Sequence, residues 1–516
     1  MQADIGALAR SIFCVGFGGA DVGSIPLEAL RTFGPGGIIL FGRNIGGAGE
    51  LRAVIAALRA CGEIAPLIAV DQEGGRVARI TDAAIVAQLP SAMALAAGSD
   101  AAQCECAGRL VGRDLARLGI SVDFAPCADL ALDARNTVIG TRSFGDVPQA
   151  VADRCAAFAR GLETGGVAAA IKHFPGHGST AADSHTALPH VDIDGATLRA
   201  RDVVPFAAAI STAAASIVMT AHVVVEALDP AAPATLSAAV LTGLLRGELG
   251  FTGVIATDCL EMDAIAATTG TAAGAVRALA AGADLLLVSH RLDRAEAAAD
   301  AVVAAIDSGK LPLARLQSAA GRVRRLRERY AQLVPFGGAV DGRLPLQAAQ
   351  RALTVVRGDV RLRPDRPVSV ISFEGTIADG AGDARTAPSL SAALRLRRWK
   401  SENMRIALEP DADDLALLLA HLPSLGDRNF VVIMRRAHCY PAQRAAVERI
   451  LAVAPQTVVI SAREPYDAAL FPAARNLACT YGDEPISLEG CADVLSARVV
   501  AGGTLPVSID RHAAVR

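Results

Sequence analysis

Short runs of nearly unbroken apolar residues recur through the first part of the chain. Most are separated by longer stretches in which Ala and Leu mix with charged residues at helical spacing. The runs are SIFCVGF (11–17), GGIILF (36–41), LIAVD (67–71), SVDFAP (121–126), VAAAIK (167–172), SIVMT (216–220), GVIATD (253–258) and ADLLLVS (283–289). Runs of this length without an alternating polar face suit parallel strands covered on both sides. Segments such as ELRAVIAALRAC (50–61) and LSAAVLTGLLRGEL (236–249) supply intervening helices. Eight strand-then-helix units in about 300 residues predict an α/β fold of the (β/α)8 barrel type. A doubly wound open sheet is the alternative.

An arginine-rich helix over 313–333 closes this region, its charges read as a solvated face, and PFGGAVDGRLPL (335–346) follows as a Pro/Gly-rich linker. Beyond it the same alternation returns in a smaller unit. Strands are predicted at 368–372, 430–434, 457–461 and 477–481, and helices at about 441–454 and 487–498. The expected organisation is a barrel over 1–334, a linker over 335–346 and a C-terminal α/β sandwich domain over 347–516.

Composition narrows the function. Of 516 residues, 52% are hydrophobic and 20% charged, which excludes a disordered chain. The net charge of -3 gives no electrostatic reason to expect nucleic acid or an anionic membrane as partner. With one Trp (Trp399) and four Tyr, the chain is poor in the stacking surfaces that a long polymer cleft needs. The ten Cys are scattered without a CxxC pair, so neither a zinc knuckle nor a disulfide framework is indicated. Residues 203–225 carry no Asp, Glu, Lys or Arg, yet they include Pro205 and His222 and read better as a helix (206–213) and a buried strand (216–220) than as a membrane span. The first residues lack the pattern of a secretory signal. A soluble, cytoplasmic protein is expected.

In such a barrel, chemistry gathers where strands end and loops begin. Asp71-Gln72-Glu73-Gly74-Gly75-Arg76 follows the third run and Arg142 lies in the long segment after the fourth. Lys172-His173 ends the fifth, His222 follows the sixth, Asp258 ends the seventh and His290 follows the eighth. A charged group ending an apolar strand is costly unless paired or used, so several at one rim predict a polar pocket. The densest cluster is IKHFPGHGSTAADSHTALPH (171–190), with His173, His177, His185 and His190. Gly176 and Gly178 permit a sharp turn close to a ligand. Asp183 and His185 flank Ser184, and in a loop the carboxylate can hydrogen-bond the imidazole, orienting it and favouring its protonated form. A buried structural loop, a metal site and an acid/base site all compete for this cluster. His173 and His177 have ligand-like spacing, but Pro175-Gly176 between them prevents a shared helix face. The acid/base reading is preferred, and no metal or cofactor is expected.

The run KHFPGHG followed by DSH resembles the signature of family 3 glycoside hydrolases, in their β-N-acetylglucosaminidase branch of the peptidoglycan-recycling type. GGIILFGRNI (36–45), AVDQEGGRVAR (69–79), DFAPCADL (123–130), VIGTRSFG (138–145), MTAHVVVEALDP (219–230) and GVIATDCLEM (253–262) resemble segments of that family in the same order. The resemblance implies a retaining mechanism with Asp258 as nucleophile and His185, supported by Asp183, as acid/base. A retaining glycosidase needs a carboxylate to attack the anomeric carbon and an acid to protonate the leaving oxygen. A histidine, with an unperturbed pKa of ~6.5, can do the latter near neutrality. Asp71, Arg142, Lys172 and His173 would hold hydroxyls or the N-acetyl carbonyl, with Arg76 and His222 as further candidates and Glu73 favoured as structural. Asp258 has a second use open to it, as the cap of a helix over LEMDAIAA. Cys259 is read as a small buried filler.

The implied partner is a small carbohydrate with a terminal N-acetylglucosamine, from cell-wall fragments or chito-oligosaccharides, cut from its end. A phosphorylase is the nearest rival, because a histidine does not repel incoming phosphate as a second carboxylate does. A β-glucosidase of the same family, a metal-dependent hydrolase and an inactive sugar-binding protein are the others. The last would be expected to lack Asp258 or His185, and both are present. GDEPISLEGCADVLSARVVAGGTLPVSI (482–509) resembles the tail of the family's second domain, expected to stabilise the barrel, mediate assembly or shape the pocket mouth.

Overall fold

The computed structural model describes residues 4–180, 188–375 and 389–509. All eight apolar runs form strands: β1 (Phe13–Val15), β2 (Gly37–Leu40), β3 (Leu67–Val70), β4 (Val122–Asp123), β5 (Ala168–Phe174), β6 (Ile217–Thr220), β7 (Val254–Cys259) and β8 (Leu285–Val288). Each pairs in parallel with the next, and β8 pairs with β1 to close a barrel. Alternation along each strand sorts the side chains. Ile39, Ala69, Val122, Ala170, Met219, Ala256 and Leu287 fill the interior, while Ile38, Val70, Ile171, Val218, Ile255 and Leu286 pack outward against helices. Both faces are buried, which is why the strands read as continuous apolar runs.

The helix Leu313–Arg329 plugs the base of the barrel, with Val323 and Leu326 joining the interior cluster. Its arginines are not simply solvated. Arg315 and Arg322 reach the fully buried Asp284 at 2.9 and 3.3 Å, and Arg246 joins them. Arg327 donates to the carbonyls of Ile64 and Ala65. An isolated buried carboxylate just before β8 demands counter-charge, and this helix supplies it. Residues 203–225 form a helix (Val204–Ser211) and β6 as expected, and no helix among the described residues is long and apolar enough to cross a membrane.

The second unit is a six-stranded sheet of β9 (Thr354–Arg357), β10 (Val368–Glu374), β11 (Ser401–Ala407), β12 (Asn429–Met434), β13 (Val458–Ser461) and β14 (Asn476–Cys479). The spatial order is β9-β14-β13-β12-β10-β11, parallel except for β9 at one edge. Val368, Val370, Val431 and Ile433 bury one face of the sheet. On the other face Ile371, Phe373, Val432 and Met434 share a core with Met93, Ala94, Ala97, Ala131 and Ala134 of the barrel. The helix Leu344–Ala352 starts within the stretch expected to be linker.

Candidate active site

At the carboxyl rim, β3, β5 and the segment after β4 bring four charged side chains together. Lys172 Nζ lies 2.7 Å from Asp71 Oδ1 and 2.7 Å from Glu73 Oε1. Arg142 grips Glu73 with two prongs, Nε to Oε2 at 2.9 Å and Nη2 to Oε1 at 2.8 Å. Arg79 Nη2 approaches Asp71 Oδ2 at 3.3 Å. The side chains of Lys172, Glu73 and Arg142 are 3%, 5% and 6% exposed, against 13% for Asp71, so Asp71 is the most open of the four. Burial alone works to raise the carboxylate pKa values. Lys172 and Arg79 outweigh it at Asp71, and Arg142 and Lys172 outweigh it strongly at Glu73, holding both below the ordinary range. Asp123, at the end of β4, receives the Gln72 N–H at 2.9 Å, and burial, outweighing that bond and the charge of Lys172, pushes its pKa up to about 8.

Asp129 orients the histidines. Its Oδ2 accepts from the His173 N–H at 3.1 Å and lies 2.6 Å from His173 Nδ1, while Oδ1 accepts from the His177 N–H at 2.6 Å. Burial would raise this carboxyl, but His173 and His177 hold it low. An ionised carboxylate only accepts, so His173 Nδ1 carries a proton towards Asp129, while Nε2 lies 3.4 Å from Arg142 Nη2. His177 Nδ1 lies 2.8 Å from Thr180 Oγ1, and burial lowers its pKa to about 4. Cys127, Asp129 and His173 also bring metal-ligand-type atoms within 4.8 Å of one another. The Cys127 thiol donates to Asp129 Oδ2 at 3.3 Å and burial holds it well above the usual thiol range. As found, Cys127 and His173 both bond to Asp129, an arrangement that fits a hydrogen-bonded orienting set.

These groups open on a cavity of about 310 Å³ lined by Asp71, Arg142, Lys172, His173, His177, Asp258 and His290, with Phe41, Phe124, Met219 and Met262 as its apolar parts. That is the lower end of the ~300–1,000 Å³ typical of small-ligand sites. Asp258 Oδ1 accepts from the Cys259 N–H at 2.7 Å. The following helix begins only at Asp263, with Met262 in the cap position, so Asp258 does not cap it. Cys259 is buried, receives the Ser289 hydroxyl at 2.9 Å and has its pKa pushed up to about 11 by burial, the state of an inert filler. The His290 ring stacks on Phe41 with centroids 5.4 Å apart.

Two expected site residues do not line the cavity. Arg76 Nη2 donates to the carbonyls of Thr137 and Val138 at 2.8 and 2.6 Å. His222 Nδ1 lies 2.8 Å from Thr235 Oγ1 and its Nε2 donates to the Cys259 carbonyl at 2.9 Å. Both secure backbone behind the wall. His190 sits on the exterior, paired with Glu226 at 2.6 Å. Gly178 is needed for close backbone approach, since a Cβ there would overlap the Leu130 carbonyl oxygen. Asp183 and His185 lie outside the described residues. Sequence reasoning did not single out Arg79, Asp123 or Asp129. Their only signal was the unusual placing of charge inside the apolar segments AVDQEGGRVAR and DFAPCADL.

The profile of the glycosyl hydrolase family 3 N-terminal domain matches residues 27–326, more than half of the chain. The chain belongs to glycosyl hydrolase family 3. Within the family it is similar to β-hexosaminidase A of Pseudoalteromonas piscicida, 33% identical over 371 residues, which are 64% of this chain and 61% of that relative. It is also similar to the β-hexosaminidase of Pseudomonas aeruginosa, 40% identical over 312 residues, 58% of this chain and 90% of that one. A solved family 3 β-N-acetylglucosaminidase from Paenibacillus sp. superposes with a TM-score of 0.90 at 34% identity, covering 98% of both chains. These relatives set this family 3 chain in the β-N-acetylhexosaminidase branch.

Proposed function

We propose that this family 3 chain is a retaining exo-β-N-acetylglucosaminidase acting on small carbohydrates with a terminal N-acetylglucosamine, from cell-wall fragments or chito-oligosaccharides. The observation that carries the reading is the cavity, of a size for one sugar ring, in which Asp258 shares a lining with Asp71, Lys172, Arg142 and His173. Asp258 attacks the anomeric carbon while His185, in the role the family resemblance gives it with Asp183 in support, gives its proton to the departing oxygen. A glycosyl-aspartate ester results. His185 then takes a proton from water, whose oxygen attacks the anomeric carbon and releases Asp258. Asp71 accepts hydrogen bonds from sugar hydroxyls; Arg142, Lys172 and His173 present donors and a ring to the remaining polar atoms. Residues 1–334 form the catalytic domain and 347–516 a second one.

The test is hydrolysis of an aryl β-N-acetylglucosaminide against an aryl β-glucoside, with and without phosphate and after exhaustive chelation. Preference for the first, no sugar 1-phosphate and full activity after chelation are expected. Good activity on the glucoside alone would overturn the substrate assignment, and a phosphate-dependent sugar 1-phosphate would make the chain a phosphorylase.

A further inference from the structure

The second sheet reaches the cavity region through the turn that carries Arg142. The Thr137 carbonyl, in that turn, accepts from Arg436 Nη2 at 2.9 Å as well as from Arg76. Arg436 follows β12, and it pairs with Glu464, which follows β13, through two contacts of 3.0 and 3.1 Å. Among the described residues the pair is as deeply buried as any, with side chains 2% and 1% exposed. Glu464 lies directly against Gly140. That glycine has φ +43, and a Cβ on it would overlap Glu464 Oε1. Two residues on, Arg142 turns back, donates from Nη1 to the Val138 carbonyl at 3.2 Å and grips Glu73. The turn is therefore held from the barrel by Arg76 and from the second sheet by Arg436 and Glu464.

The location gives this contact meaning. In doubly wound parallel sheets the carboxyl ends of the strands usually form a ligand crevice. Here the residues after β12 and β13 receive a turn of the barrel instead. We infer that Arg436 and Glu464 are positioning residues for sugar binding, fixing Arg142 through the 137–140 turn. This rests on the reading of Arg142 as a sugar-holding group. Neither residue touches the cavity, so their effect is on where the guanidinium stands and not on the bond-breaking step. Misplacement by a fraction of an ångström at a binding group is enough to weaken binding severalfold or more.

The experiment is steady-state kinetics of the full chain on an aryl β-N-acetylglucosaminide, with the thermal midpoint of every variant measured alongside. Arg436→Met is expected to raise KM about tenfold while kcat stays within about twofold. Glu464→Gln, which keeps the shape and most hydrogen bonds, should fall between wild type and Arg436→Met and guards against a variant that does not fold. Gly140→Ala should raise KM too, and combining it with Glu464→Ala should give less loss than the two single changes multiplied together, because the overlap has gone. Lower midpoints with KM unchanged in all folded variants would overturn the inference and leave the pair a purely cohesive contact. If the wild type ignores the N-acetylglucosaminide, the activity reading fails, and the same KM comparison on the aryl β-glycoside it does cleave decides the positioning.

Discussion

The Arg142–Glu73 and Arg436–Glu464 pairs are alike in almost everything that can be measured. Each is two-pronged, with contacts of 2.8–2.9 Å in the first and 3.0–3.1 Å in the second, and each is nearly excluded from solvent. Both bear on the same stretch of barrel, the turn from Thr137 to Arg142. Yet Arg142 lines the cavity and Glu73 also holds Lys172, whereas Arg436 spends a nitrogen on the Thr137 carbonyl and Glu464 covers Gly140. Taking two charges out of water costs several kcal/mol per ion, which an isolated pair barely recovers. The difference teaches that the same costly device serves two ends. At the cavity it sets donors in place for a ligand, and at the sheet contact it sets one piece of backbone against another.

The sharpest way to break this contrast is to remove the proposed chemistry. Asp258→Ala is expected to cut kcat by at least about a thousandfold with the thermal midpoint unchanged or slightly raised, as measured by aryl glycoside hydrolysis and calorimetry. A residual rate within tenfold of wild type would remove Asp258 from the mechanism. Glu73→Gln comes next. It leaves Lys172 and Arg142 short of counter-charge, so a loss of about 3–5 kcal/mol in denaturant unfolding is expected together with at least a tenfold loss of activity. Glu464→Gln should lose less stability than Glu73→Gln, which uncovers both Lys172 and Arg142, and should act on KM alone; equal kinetic damage from both would erase the distinction.

Acid sharpens it further. Glu73 and Glu464 are both held well below the ordinary carboxylate range, by Arg142 with Lys172 and by Arg436 with Arg463, against the opposing effect of burial. Their folded pKa values are depressed, so the stability they contribute is complete above the ordinary value of ~4.3 and drains as pH falls below it. Thermal midpoints should decline steeply from pH 5 to pH 3, and less steeply in either Gln variant. The last test, which reads stability alone, concerns Asp123, whose pKa is raised to about 8. A raised acid favours folding fully below its unfolded value of ~3.9 and loses that contribution as pH rises towards 8. Asp123→Asn, a permanently neutral mimic, should gain on wild type between pH 5 and pH 8 and keep a constant lead above it; a lead that is already constant at pH 5 would show Asp123 ionised throughout.

Legibility followed burial. The barrel strands were readable because both faces are covered, which leaves runs such as LLLV at 285–288 unbroken by polar residues. β11, SENMRIA at Ser401–Ala407, was not readable. It is an edge strand with a mostly half-exposed surface, and its polar residues match no apolar template. β9 is a four-residue edge. At the site, Asp71, Lys172, His173 and Asp258 stood out as polar groups at the ends of apolar strands and Arg142 in the segment after the fourth, and all five line one cavity. Asp129 did not stand out, because its partners His173 and His177 lie 44 and 48 residues away. Arg76 and His222 looked the same as the others in sequence, and only the direction of their side chains separates them.

The ion pairs of the rim have a consequence for how a ligand arrives. Among the described residues, Arg43, Arg79, Arg142 and Lys172 bring positive charge to the cavity and Asp71 and Asp258 negative charge, with Glu73 and Asp129 directly behind the wall. Asp123 is mostly neutral below pH 8. With Asp258 ionised, these four cations stand against these four anions, and Glu261, behind His290, is matched by Arg294 at 3.7 Å. Such a site has strong local dipoles but almost no field at a distance, so it neither draws in nor turns away ions from the bulk. Encounter with an uncharged sugar then runs at the same rate in dilute buffer and in concentrated salt, and selection happens only on contact, one hydrogen bond at a time.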